Sequence, residues 1–291
     1  MSTVKIVTDS TADLSPEQVG KYGIKVVPIT VSFGQDSFAD GVELSAEEFF
    51  TRLTSSKELP KTSQPSPEAF RQSYEEVAGA DDVILSVHIS GKLSGTLNSA
   101  EMAAKEVKPK VIAIDTKTAS QGIGLSVLVA AEAVHRELPV EKAVEITQKS
   151  VANTFSVFAV DTLEFLQRNG RIGKAASLLG SLLQIKPVLY ADPEGMVAPY
   201  DKVRGRSKII PSLINAALKN VRPDNPVNLS VVHTGAEESA RLLLEKLKSH
   251  YEIADHHIGM VGPAIGAHIG PGAVGLMIQP SFDTLLKELN S

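Results

Sequence analysis

The feature that most constrains this chain is an alternation: short β-branched runs trade places with segments that carry helix start signals. Lys5 to Val7, Lys25 to Ile29, Val83 to Val87 and Val111 to Ile114 read as strands. Between them, Ser15-Pro16-Glu17-Gln18 offers a hydroxyl N-cap, a proline at the first helical position and a reciprocal capping side chain, with Gly23 placed to end the helix. Ser45-Ala46-Glu47-Glu48 repeats the capping box, and Ser66-Pro67-Glu68 opens a third helix. Such alternation predicts parallel strands joined by helical crossovers, and hence a sheet covered on both faces.

After Pro139 and a helix expected over Glu141 to Lys149 the pattern changes, which places a domain boundary near residue 150. Strands are expected over Ser156 to Val160, Pro187 to Ala191 and Val197 to Val203, the last two joined as a hairpin through Asp192-Pro193-Glu194-Gly195. Leu229 to Val232, Ile253 to Ile258 and Ala273 to Ile278 then alternate with helices beginning near Ser207, Glu237 and Ser281. The expected class is α/β in two domains: residues 1–150 with a mostly parallel sheet and flanking helices, and residues 151–291 with a mixed or antiparallel sheet and helices on one side.

Composition removes several function classes. With 34 acidic and 29 basic residues the net charge is −5, and no stretch gathers Lys or Arg into a stripe, so nucleic acid is not an expected partner. The absence of cysteine removes disulfides, thiolate catalysis and Cys-based zinc sites, and fits a reducing compartment. Met1 to Val7 lacks the basic segment and apolar run of a signal peptide. Ile123 to Val134, broken by Ser126 and Glu132, is far short of the ~20 apolar residues a bilayer requires and reads as a buried helix. A cytoplasmic protein is expected. Aromatics are 5% and tryptophan is absent, so the interior is aliphatic, as suits an aliphatic cavity or a plain α/β core.

Hydroxyl residues gather where strands give way to helices: Thr8-Asp9-Ser10-Thr11, Lys61-Thr62-Ser63-Gln64-Pro65-Ser66, and Ser90-Gly91-Lys92-Leu93-Ser94-Gly95-Thr96. In an open α/β sheet such loops meet beyond the carboxyl ends of the strands, where ligands bind; the same residues also serve as ordinary helix caps. Gly91 and Gly95 let backbone N–H groups approach a guest, and a helix N-terminus favours a carboxylate or phosphate. The stretch is not a nucleotide-binding P-loop, because Lys92 is followed by Leu93. Gln121-Gly122-Ile123-Gly124 is too short for a dinucleotide fingerprint and reads as close helix packing.

No G-x-S-x-G nucleophile elbow occurs. Asp255-His256-His257 lies on an expected strand, where neighbouring side chains face opposite ways and cannot share a metal. Asp9 and Asp13 leave open a phosphatase-like or phosphotransferase pair working with magnesium on a small anion, although Asp13 also suits the turn into the next helix. His268, within Ala267-His268-Ile269-Gly270-Pro271-Gly272, is expected in a loop whose glycines and proline fix the imidazole. Arg171, Arg204 and Arg206, each beside glycine, can offer a planar fork to phosphate.

These loops together resemble the DegV family, the fatty-acid-binding subunits of a bacterial fatty acid kinase. The matching pieces are Thr8 to Leu14, Lys61 to Ser66, Leu93-Ser94-Gly95-Thr96 with Ser99-Ala100, Asp115-Thr116, Asp161 to Leu166, Gly170-Arg171-Ile172, Ile185-Lys186-Pro187 and His268 to Gly272. The resemblance implies a long-chain fatty acid buried in the first domain, with Thr62 and Ser94 holding its carboxylate and His268 closing the site from the second. Asp9, Ser10, Ser63, Gly95 and Thr96 are then supporting residues. It also implies that no cofactor belongs to this chain: a partner kinase brings ATP and magnesium, and the acyl phosphate feeds phospholipid synthesis through an acyltransferase. Arg171, Arg204 or Arg206 would meet the new phosphate or the kinase, and ligand exchange calls for transient membrane contact. A regulatory lipid sensor is the other non-catalytic reading.

Overall fold

A computed structural model of the chain describes residues 3–56, 58–180 and 185–291. In chain order the first half holds β1 (Val4–Asp9), α1 (Pro16–Tyr22), β2 (Lys25–Val27), β3 (Thr30–Phe33), β4 (Asp36–Ala39), α2 (Ala46–Ser55), β5 (Lys61–Ser63), α3 (Pro67–Val77), β6 (Val83–His88), α4 (Thr96–Ala104), β7 (Lys110–Asp115), α5 (Gln121–His135) and α6 (Val140–Asn153). The second holds β8 (Phe155–Ala159), α7 (Glu164–Arg168), β9 (Ile185–Ala191), β10 (Val197–Arg204), α8 (Ile209–Asn220), β11 (Val227–His233), α9 (Glu237–Leu247), β12 (Ile253–Met260), α10 (Pro263–Ile269), β13 (Val274–Pro280) and α11 (Phe282–Leu289).

The first sheet, β2-β1-β6-β7, is parallel throughout, as strands joined by helical crossovers must be. The capping boxes at Ser15 and Ser45 both form, Ser66 caps α3, and Gly23 ends α1 at φ 60. The expected strand Lys25 to Ile29 divides, because Pro28 has no N–H to continue the ladder. The chain leaves the sheet there and resumes as β3, centre of a second, antiparallel sheet β4-β3-β5 that sequence reading did not anticipate.

The third sheet, β10-β9-β8-β13-β11-β12, is mixed: only β11 and β12 run parallel, and β9–β10 is the expected hairpin. Period-2 alternation divides its side chains between two faces. Val157, Leu229, Val231, Leu276 and Ile278 pack against α8 and α9 through Leu213 and Leu243. Helices on one side only were expected, but α5 covers the other face, where Leu125 meets Val232 and Met277.

Helix α5 therefore lies between the two large sheets. Its apolar residues run all the way round, the pattern of a fully enclosed helix, and Ile123 and Val127 also enter the first half's core. A Cβ on Gly122 would stand 2.6 Å from Ser156 Oγ, and one on Gly124 would stand 3.0 Å from the Ala12 carbonyl, so the glycine pair serves close packing. The large sheets lie on either side of residue 150 in sequence, yet α11 returns Phe282 and Leu285 to the first half's core, and α10 packs Ala264 and Ala267 onto the small sheet's core.

Candidate functional site

A cavity of about 430 Å3 lies at the junction of the halves, within the ~300–1,000 Å3 usual for small-ligand sites. All four parallel strands lead into it: Thr11 follows β1, Ile29 follows β2, Ile89 follows β6, and Thr118 and Ser120 follow β7. This is where open α/β sheets bind ligands. The opposite wall is the inner face of the large mixed sheet, with Phe158, Val232 and Met277, closed by Ile265 and Ile269 of α10. Much of the cavity's apolar wall comes from the second half.

One end of the cavity is polar. Thr62, Ser63, Gln64, Ser94, Arg171 and His268 converge there from four segments. Thr62 sits on β5, paired opposite Val31, so the expected loop begins as an edge strand. Ser94 Oγ lies 2.8 Å from Thr96 Oγ1 and accepts the Thr96 N–H at 3.3 Å, at the start of α4. A Cβ on Gly95 would meet the Gln64 side chain, so this glycine lets the two hydroxyl loops close on each other.

His268 is not in a loop: it occupies the last turn of α10, and the glycines follow it. Gly270 adopts φ 70 with the Phe165 ring packed where a Cβ would go. His268 Nε2 lies 2.9 Å from Thr62 Oγ1, while Nδ1 is buried without a hydrogen-bond partner. An orphaned buried donor is the rarer defect, so the pattern assigns the proton to Nε2, which donates to Thr62 and frees the threonine hydroxyl to donate to a guest. Burial, with the Arg171 charge adding, pushes His268 down to about 4, so the ring is neutral near pH 7.

The site's cationic side chain is thus Arg171. Helix α7 ends with Arg171 N–H on the Leu166 carbonyl (2.8 Å) and Gly170 N–H on that of Gln167 (3.1 Å), Gly170 taking φ 68. This Schellman arrangement turns the chain back toward the cavity. Arg171 Nε then donates to the Leu93 carbonyl at 3.2 Å and Nη1 to that of Asn169 at 2.8 Å, while Nη2 makes no hydrogen bond among the described residues. Arg204 and Arg206 do not line the cavity: Arg204 is exposed at the end of β10, and Arg206 pairs with Asp161, which also holds Lys186 at 3.0 Å.

Asp9 and Ser10 are kept from the cavity by internal bonds. Asp9 is fully buried, accepts from Thr11, and holds His88 Nδ1 at 2.8 Å; His88 Nε2 continues to Ser86 (2.6 Å) and Ser86 to Tyr74 (2.8 Å). None of Asp9, His88, Ser86 and Tyr74 is among the residues lining the cavity. Ser10 Oγ accepts from the Ile29 N–H at 2.9 Å. Among the described residues no His, Cys, Asp or Glu group of three or more could hold a metal, and Asp255, His256 and His257 lie along β12. No described helix is long and apolar enough to cross a membrane. The cavity's aliphatic lining was not legible residue by residue, because each lining position is locally an ordinary core position.

Comparison with known proteins follows this geometry. The DegV family, described as uncharacterised proteins, matches residues 3–281. A DegV domain-containing protein of Deinococcus radiodurans is 40% identical over 281 residues, covering 96% of this chain and 99% of that protein. A fatty acid-binding protein of Thermotoga maritima is 35% identical, covering 95% and 97%. Among solved structures, a DegV family protein from Thermus thermophilus, described by its fatty acid binding, superposes with a TM-score of 0.91 at 36% identity, covering 96% of this chain and all of that one. End-to-end agreement in sequence and in the placement of both large sheets leads to one assignment: the chain belongs to the DegV family.

Proposed function

We propose that this protein binds one long-chain fatty acid in the junction cavity, tail along the apolar wall and carboxylate at Thr62, Ser94, His268 and Arg171. The observation that carries this reading is the pairing of a largely apolar cavity with a cluster that holds hydroxyl donors, a neutral imidazole and one guanidinium. The fatty acid binding named for the Thermus and Thermotoga relatives supports it. Burying ~15 methylenes at ~0.8 kcal/mol each gives on the order of 12 kcal/mol before ordering costs. The tail supplies affinity, and the polar end fixes which way round the ligand lies.

The finer reading is a carrier role in the cytoplasm. The protein presents the carboxylate to a separate kinase, which brings ATP and magnesium and forms the acyl phosphate that an acyltransferase uses for phospholipid synthesis. This chain needs no cofactor and transfers nothing itself. Arg171 meets the phosphoryl group, while the exposed Arg204 and Arg206 serve kinase docking, and ligand exchanges by brief contact with a membrane. The first half supplies the hydroxyl loops, and the second supplies the closing histidine and much of the tail wall.

Native mass spectrometry of the purified protein, followed by denaturation and organic extraction, tests the first step. One fatty acid mass, present natively and released on denaturation, is the expected result; no uptake from a panel of fatty acids would remove the carrier reading. Phosphoryl transfer by the chain alone would establish an enzyme instead, and turnover only with an added fatty acid kinase would establish the carrier role.

A further inference from the structure

Helix α10 carries His268 at its carboxyl end, and the first half grips its amino end. The Gly262 N–H donates to Asp13 Oδ1 at 3.0 Å, and the Ala264 N–H donates to Asp40 Oδ1 at 3.3 Å. Asp13 follows β1 in the left-handed region at φ 53, and Asp40 follows β4. The second oxygen of Asp13 accepts from Ser120 Oγ at 2.5 Å, and Ser120 itself stands at φ 56, ψ −145, a conformation that non-glycine residues rarely adopt. A Cβ on Gly262 would lie 2.7 Å from Asp13 Oδ1 and 3.6 Å from Asp40 Oδ1, so both acids crowd one turn of backbone.

The arrangement is costly. Asp40 is 3% exposed and its Oδ2 has no partner, while Asp9 adds a third carboxylate to the same neighbourhood, and of the three acids His88 bonds only Asp9. Burial chiefly, with Asp40 adding, pushes the Asp13 carboxyl up to about 8, and burial pushes Asp40 up to about 6. A short helix could be capped by one serine. Two acids, one unpaired oxygen and one strained serine at this place indicate that the position of α10 matters beyond its stability.

We propose that Asp13 and Asp40 are positioning residues for the head-group site: by holding the amino end of α10 they set the His268 imidazole against Thr62. The proposal rests on the carboxylate-binding reading of Thr62 and His268. Asp13→Asn keeps the acceptor for Gly262 and, as a neutral group, matches a protonated Asp13; Asp13→Ala removes the acceptor. Asp40→Ala removes the unpaired oxygen together with the bond to Ala264, so it serves if Asp13→Ala fails to fold.

The test follows the His268 ring nitrogens by NMR in ligand-free protein, and measures affinity for palmitate and for hexadecanol. In Asp13→Ala or Asp40→Ala the His268 signals should move, and palmitate affinity should fall by about tenfold, as for one lost hydrogen bond to a charged group, with hexadecanol nearly unchanged. Asp13→Asn should restore both. Folded alanine variants with wild-type His268 signals would overturn the proposal. A His268→Ala protein that binds palmitate normally would overturn the head-group reading instead, and the NMR comparison would still decide whether the acids place the ring.

Discussion

Replacing Thr62 with valine keeps the shape of the side chain and removes one hydroxyl at the polar end of the cavity. With the proton assigned to His268 Nε2, that oxygen accepts from the ring across 2.9 Å, and its own hydrogen is free for the ligand. A hydrogen bond to a charged group contributes ~1.5–3 kcal/mol, so loss of the donor alone should cost about 2 kcal/mol, or about thirtyfold in Kd for a fatty acid. The His268 Nε2–H also loses its acceptor while Nδ1 already lacks a donor, so the ring gains a second unpaired nitrogen. Hexadecanol fills the same tail space without the charge, and its bond to Thr62 is an ordinary neutral one of ~1 kcal/mol, so it should lose only about fivefold. Titration calorimetry with both ligands on both proteins measures the difference. Wild-type palmitate affinity in Thr62→Val, or an equal penalty for the two ligands, would refute the claim that this hydroxyl reads the carboxylate.

Shortening the fatty acid should weaken binding by about fourfold per methylene removed, at ~0.8 kcal/mol each, and a flat series measured by competition would mean that the tail does not lie in the apolar cavity. Arg171→Leu should let the His268 pKa rise from about 4, because the Arg171 charge is one of the two causes holding it down, and NMR titration of the ring reads the shift. Folded Asp13 and Asp40 hold protons to about 8 and about 6 against 3.8 unfolded, so the native state binds more protons than the unfolded chain across that window. Their contribution is therefore fully present below pH 3.8 and is lost as pH rises toward 8. Denaturant titrations at intervals from pH 5 to pH 9 should show stability falling, and Asp13→Asn should flatten the fall above pH 6; a rise with pH in the wild type that Asp13→Asn abolished would contradict the assignment.

How much of this was legible depends on the range over which each signal acts. The caps at Ser15, Ser45 and Ser66 and the hairpin turn at Asp192 to Gly195 are local chemistry, and they appear where the sequence puts them. The small sheet was missed because β5 is three residues long and polar, too short to show a period, and because Pro28 hides a change of sheet inside one apolar run. His268 was read as a loop residue because Gly262-Pro263 and Gly270-Pro271 bracket a helix of only seven residues. Asp13 gave no hint of its role, since the N–H it holds lies 249 positions away. Thr62 and His268, 206 positions apart, were joined in advance only by family resemblance. The arginines, equal in sequence, are separated by the structure: Arg171 alone of the three reaches the cavity.

The return of α11 to the first half has a consequence for how the chain is made. Phe282 and Leu285 join the core cluster of Ile123, Ala130 and Ile146, so the first half's core stays incomplete until α11 has been synthesised. Translation proceeds at ~5–20 residues per second, and for much of that time the emerging first half carries an uncovered apolar groove on α5 and α6. A chain stalled before residue 282 should accordingly be open to proteases and to chaperones that recognise exposed aliphatic surface, and should become resistant once α11 docks.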